Sequence, residues 1–120
     1  MAKKLKPIHP GVHLREDFMK PFGLSANALA RALEVTPARI NDILRGRRGI
    51  SADTALRLAR FFGTDAQSWL NLQSHYDLQC AEDAAGRAIR KIRRHRVFRS
   101  ATTLAAVVAA SVLQLAAISA

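Results

Sequence analysis

The chain has 120 residues, 49% hydrophobic and 6% aromatic, with nineteen Lys and Arg against nine Asp and Glu for a net charge of +10. That length supports one small domain with a modest core, plus extensions. The single cysteine, Cys80, excludes a disulfide framework, and no apolar run follows the N-terminal lysines, so no signal peptide is expected and the cytoplasm is the expected compartment.

The excess charge is unevenly spread. Residues 1–50 carry ten basic and four acidic groups, residues 51–85 two basic and five acidic, and residues 86–100 seven basic and none acidic. Residues 101–120 carry no charge. Two basic patches around an acidic middle suggest two footprints on a polyanion rather than general stickiness.

In chain order, residues 1–8 read as a basic arm. Pro10 and Gly11 precede a helix whose apolar positions Val12, Leu14, Phe18 and Met19 make an imperfect stripe, ended by Pro21 and Gly23. Ser25 is a good N-cap for a second helix that would bury Ala28, Leu29, Ala32 and Leu33. Thr36-Pro37 is a strong start signal: the hydroxyl accepts from an exposed backbone N–H, and Pro gives up a donor without a partner. Ile40, Ile43 and Leu44 should then face the core, and Gly46 closes the third helix. Ser51 starts the fourth, with Leu56, Leu58, Ala59 and Phe62 apolar and Gly63 at its end. Thr64-Asp-Ala-Gln67 has the capping-box pattern for a fifth helix carrying Trp69, Leu70, Leu72 and Tyr76.

The outward side of the third helix holds Arg39, Asn41, Asp42 and Arg45, followed by Arg47 and Arg48 around a glycine. These are groups that reach base edges and phosphates. Thr36, Pro37 and Ala38 are small enough to approach a groove closely and to touch thymine methyls. Asn41 can pair with adenine and Asp42 can accept from cytosine, while Arg39, Arg45, Arg47 and Arg48 are phosphate clamps, with Arg39 also able to read guanine. A polar helix face alone would be an ordinary solvated surface. Joined to the preceding helix and its spacing, it reads as a helix-turn-helix on double-stranded DNA.

Residues 8–79, from Ile8-His-Pro-Gly through Leu14-Arg-Glu-Asp-Phe to Trp69-Leu-Asn-Leu-Gln-Ser-His-Tyr-Asp-Leu78, resemble HigA-type antitoxins of the Xre helix-turn-helix class. The opening His9-Pro10-Gly11, the block from Ile50 to Gly63 and the ending from Trp69 to Leu78 carry the resemblance. It implies an all-α, five-helix lambda-repressor-like domain over residues 9–80. It also implies a homodimer on a palindromic operator in its own promoter, and a partner toxin, a RelE-like ribosome-dependent mRNA nuclease. By position, Ser25, Thr36, Arg39, Asn41 and Arg45 match places where related repressors contact DNA. Trp69, Leu72 and Tyr76 on the fifth helix are the expected dimer surface. The alternative is a stand-alone Xre-type repressor with no toxin.

Glu34 departs from the pattern, standing where this class has glycine in the turn. A left-handed backbone there would cost on the order of 1 kcal/mol. Residues 81–100 are expected as a basic helical extension, and residues 101–120 as an Ala-rich apolar tail, helical or poorly ordered. Twenty residues could reach about 30 Å, a bilayer core, with the preceding arginines as an anchor. Eight of the twenty are Ala and five are polar, however, so insertion would be marginal and the membrane is the less favoured partner.

No catalytic residue, cofactor or metal is expected. His9 and His13 are four apart but lack the Glu of a zinc-protease motif and a third ligand, and no phosphate-cradling glycine loop exists.

Overall fold

The computed structural model describes residues 5–98 and 108–112, and the chain divides after Ala84 into two compact units. Among the described residues all regular structure is helical.

The first unit opens on α1 (Pro10–His13), which runs into a π turn (Leu14–Met19) and a 3-10 turn (Lys20–Phe22). Gly23, at φ 62°, then reverses the chain. The π turn explains the imperfect apolar stripe of this segment. Bonds such as Lys20 N–H to the Arg15 carbonyl bring residues five apart over one another, so Leu14 and Met19 are both buried while Val12 faces out.

Helix α2 (Ala26–Leu33) starts where Ser25 Oγ accepts the Ala28 N–H at 3.1 Å. Its buried side is Leu29, Ala30 and Leu33 rather than the expected Ala28 and Ala32: Ala32 is exposed, because the inward stripe starts from Ala26 and falls three, four and seven residues on. Helix α3 (Pro37–Leu44) starts at Thr36, whose Oγ1 accepts the Arg39 N–H at 3.3 Å, and it buries Ile40 and Ile43 completely. Helix α4 (Ala52–Phe62) is capped by Ser51 and ends at Gly63, φ 69°. It buries Thr54, Ala55 and Leu58, while Leu56, another of its apolar positions, is exposed.

Helix α5 (Ala66–Arg90) begins one step later than the capping-box pattern suggests. Asp65 Oδ2 takes the Ser68 N–H at 3.3 Å, whereas Thr64 Oγ1 accepts the Trp69 indole N–H at 2.8 Å. Thr64 is thereby spent on satisfying a buried tryptophan, and Gln67 turns to Asn71. Leu14, Leu29, Ile40, Ile43, Leu58 and Trp69 form the shared core. Burying such a side chain stabilises by about 1.5–3 kcal/mol, so α3 is fixed chiefly by its two isoleucines.

In the second unit, α5 completes its last turns through Arg87 and Arg90. Among its described residues, the basic stretch expected to be helical is helical only to Arg90 and again over Arg96–Phe98, a 3-10 turn. Residues 108–112 are helical. The remainder of the Ala-rich tail, on which the expectation of a membrane anchor falls, lies outside the described residues. Among those described, no helix is long and apolar enough to cross a membrane.

Candidate nucleic-acid interface

Helix α3 is gripped at both ends and from beneath. At its start, Thr36 and Pro37 deal with the first backbone donors. At its end, Arg15 Nη2 donates to the Leu44 carbonyl at 2.8 Å, placing a cation at the negative pole of the helix. Beneath it lies Gly11, where a Cβ would collide with the Ile43 carbonyl oxygen; only a glycine lets α1 come this close.

The loop after α3 is equally determined. Gly46 takes φ 75°, and the N–H groups of Arg47 and Arg48 both donate to the Asp42 carbonyl, at 2.8 and 3.2 Å. His9 secures it from the other side. Its Nδ1 accepts the Gly11 N–H at 2.9 Å, and its ring stands edge-on to Tyr76 with centroids 4.9 Å apart. Burial pushes the His9 pKa down, only partly opposed by Asp77 and the Arg48 backbone, which keeps the ring neutral.

What this scaffold offers to solvent is the expected set. Thr36, Pro37, Ala38, Arg45, Arg47 and Arg48 are exposed, and Arg39, Asn41 and Asp42 are half-exposed. Among the described residues no carboxylate pairs with Arg45, Arg47 or Arg48. Ser25 is exposed at the start of α2. Both Ser25 and Thr36 use an oxygen lone pair for capping, so each hydroxyl keeps its proton to give to an acceptor such as a phosphate oxygen. The positive ends of α2 and α3 add to the attraction for anions.

Arg39 differs from the other arginines. Its Nη1 donates to Asp53 Oδ2 at 2.8 Å, and the same oxygen accepts from Arg57 Nε at 2.9 Å. Arg57 in turn donates from Nη1 to the Leu33 carbonyl at 2.8 Å and to the Glu34 carbonyl at 3.4 Å. The hydrogen bonds from Arg57 and then Arg39 hold the Asp53 carboxyl below its ordinary range. Glu34, in the turn between α2 and α3, has φ 58° and ψ 44°, the one non-glycine with positive φ among the described residues.

The expected dimer residues separate. Trp69 is a correction: it is 2% exposed, its ring lies 5.0 Å from that of Phe18, and its N–H is bonded within the chain, so it is part of the core and presents almost no surface to a second copy. Leu72 is half-buried against the same core, and Tyr76 is half-buried with its ring against His9. Among the described residues no group of three or more His, Cys, Asp or Glu could hold a metal ion. His9, Gly11, Arg15, Asp53 and Arg57 are supports of the interface that sequence reasoning passed over. Only the His9-Pro10-Gly11 triplet carried a local signal for any of them.

Residues 16–69 match the family described as Helix-turn-helix. Virulence-associated protein I of Dichelobacter nodosus is 65% identical over 79 residues, which cover 66% of this chain and 73% of that protein. Among solved structures, the Pseudomonas aeruginosa antitoxin HigA with the higBA promoter is 53% identical with a TM-score of 0.71, covering 72% of this chain and 96% of its own. Antitoxin GraA in complex with its operator is 48% identical with a TM-score of 0.71, covering 79% and 97%. The matched family segment contains α2, α3 and α4, and the family is one of DNA-binding repressors rather than enzymes. The chain therefore belongs to the HigA-type antitoxins of the Xre helix-turn-helix class.

Proposed function

We propose that this chain is the antitoxin of a two-protein module in the cytoplasm: it neutralises a RelE-like mRNA nuclease and represses its own operon as a homodimer on a palindromic operator. The observation that carries the DNA half is the α3 surface. A helix anchored at both ends presents Thr36, Ala38, Arg39, Asn41 and Asp42, with exposed Arg45, Arg47 and Arg48 beyond it. A major groove admits such a helix, with side chains near its start at base edges and the flanking arginines on phosphates. The solved structures of similar antitoxins with promoter or operator DNA support the same reading. Dimerisation would set two α3 helices about 34 Å apart, one turn of the duplex. Leu72 and Tyr76 remain candidates for the dimer contact.

Expression of the small reading frame adjacent to this gene, with and without this chain, tests the antitoxin half. Growth arrest by the neighbour, relieved by this protein and accompanied by co-purification, is the expected result. A neighbour that is harmless, or toxic and unbound, would leave a stand-alone repressor. For the DNA half, Arg39→Ala should weaken binding in a gel-shift titration against DNA upstream of the gene, and unchanged affinity would count against the assignment.

A further inference from the structure

We propose that Asp53, on α4 and outside the recognition helix, positions Arg39 for base reading, so that it sets the sequence selectivity of this chain rather than its overall affinity for DNA. The proposal rests on the DNA-binding reading above and adds a residue to it.

The geometry is a relay of charge. Carbonyls of Leu33 and Glu34, at the end of α2 and in the turn, hold Arg57; Arg57 and Arg39 meet on a single oxygen of Asp53. Arg39 is thus tied to the turn of the helix-turn-helix through two side chains, although it is fourteen residues from Asp53. Asp53 engages Nη1 alone. The side-on fork of the guanidinium, Nε with Nη2, stays whole and can meet the two adjacent acceptors of a guanine edge.

Stability does not account for the arrangement. The Asp53 side chain is 56% exposed and those of Arg39 and Arg57 are 32% and 38% exposed, and exposed pairs of this kind contribute little to folding. Nor does raw affinity, since a carboxylate near a phosphate backbone repels it. An acid beside the reading face that costs affinity is explained if it holds a long, rotamer-rich side chain in one orientation.

Electrostatics and positioning give opposite signs for the same substitution, which makes the proposal testable. The full chain is first used to select duplexes from a randomised pool. Wild type and Asp53→Asn are then titrated against the selected duplex and against a scrambled duplex of equal length, and the pool selection is repeated with the variant. Positioning predicts unchanged or tighter binding to the scrambled duplex, weaker binding to the selected one, and a fall of about tenfold in their ratio. It also predicts loss of a preferred guanine from the variant's selected sequences. In an Arg39→Ala background Asp53→Asn should change the ratio no further, whereas with Arg39 present Asp53→Glu should keep part of the selectivity that Asp53→Asn loses. Circular dichroism checks that each variant is folded. If Asp53→Asn tightens both duplexes in parallel and keeps the guanine, Asp53 is only a negative charge and the proposal fails. A wild-type chain that selects no sequence would instead overturn the DNA reading beneath it.

Discussion

Arg15 and Leu44 are 29 residues apart in sequence, yet Nη2 of one donates to the carbonyl of the other at 2.8 Å. The bond joins the first helical segment to the last turn of α3 and satisfies a carbonyl that the helix itself leaves open. A charged donor in a part-buried bond contributes about 1–2 kcal/mol. Arg15→Ala should lower stability by about that amount in urea unfolding, and weaken DNA binding because the end of α3 is released. Arg15→Lys should recover only part of it, lacking the planar fork. Unchanged stability in Arg15→Ala would show the bond to be incidental.

Glu34 adopts the left-handed conformation at φ 58° in the turn where this class places glycine. Its Cβ crowds the backbone there, at a cost on the order of 1 kcal/mol. Glu34→Gly should therefore raise stability by about 0.5–1 kcal/mol, the gain being trimmed by the freer unfolded chain. The carbonyl that Arg57 uses is retained, so DNA binding should be unaffected. A lower melting temperature would mean that the Glu34 side chain makes a contribution exceeding the backbone strain.

Gly11→Ala tests the close approach of α1 to α3. In an open helix this change stabilises by about 0.5–1 kcal/mol. Here the new methyl meets backbone, the Ile43 carbonyl, which has nowhere to retreat without moving α3. A net loss of about 1–3 kcal/mol is expected in chemical denaturation, with DNA affinity falling alongside. A gain in stability would place α1 farther from α3 than described.

The pH dependence should carry the signature of His9. Burial lowers its pKa from the ordinary 6.5, so on acidification the unfolded chain takes up a proton that the folded chain resists. Stability is then fully present above about pH 6.5 and declines as pH falls through the lower folded value. Protonation would also remove the Nδ1 lone pair that accepts the Gly11 N–H. Melting temperatures of wild type should drop between pH 7.5 and 5 more steeply than those of His9→Gln. Parallel curves for the two proteins would contradict this role.

Local chemistry made most of this fold legible in advance. Ser25, Thr36 and Ser51 each cap the helix they precede, and Gly23, Gly46 and Gly63 each take positive φ where a helix was expected to end. Ile40 and Ile43 are buried as their spacing requires, which turns Arg39, Asn41 and Arg45 toward solvent. The misses have a common origin in tertiary context. The π turn replaced a 3.6-residue period by a wider one at Leu14–Met19, and a buried indole diverted Thr64 from capping. Arg15 with Leu44, Arg57 with Leu33 and Asp53 with Arg39 are contacts between distant segments, for which no spacing rule exists.

The central claim is that two copies of α3 read one duplex from adjacent major grooves. Methylation-interference footprinting of the full chain on the DNA upstream of its own gene tests it most directly, because guanine N7 lies in the major groove. The account predicts two symmetric patches of interference about 10–10.5 base pairs apart, centre to centre, both lost in an Arg39→Ala, Asn41→Ala double variant that remains folded. Interference at one patch only, or binding that no major-groove methylation disturbs, would contradict it.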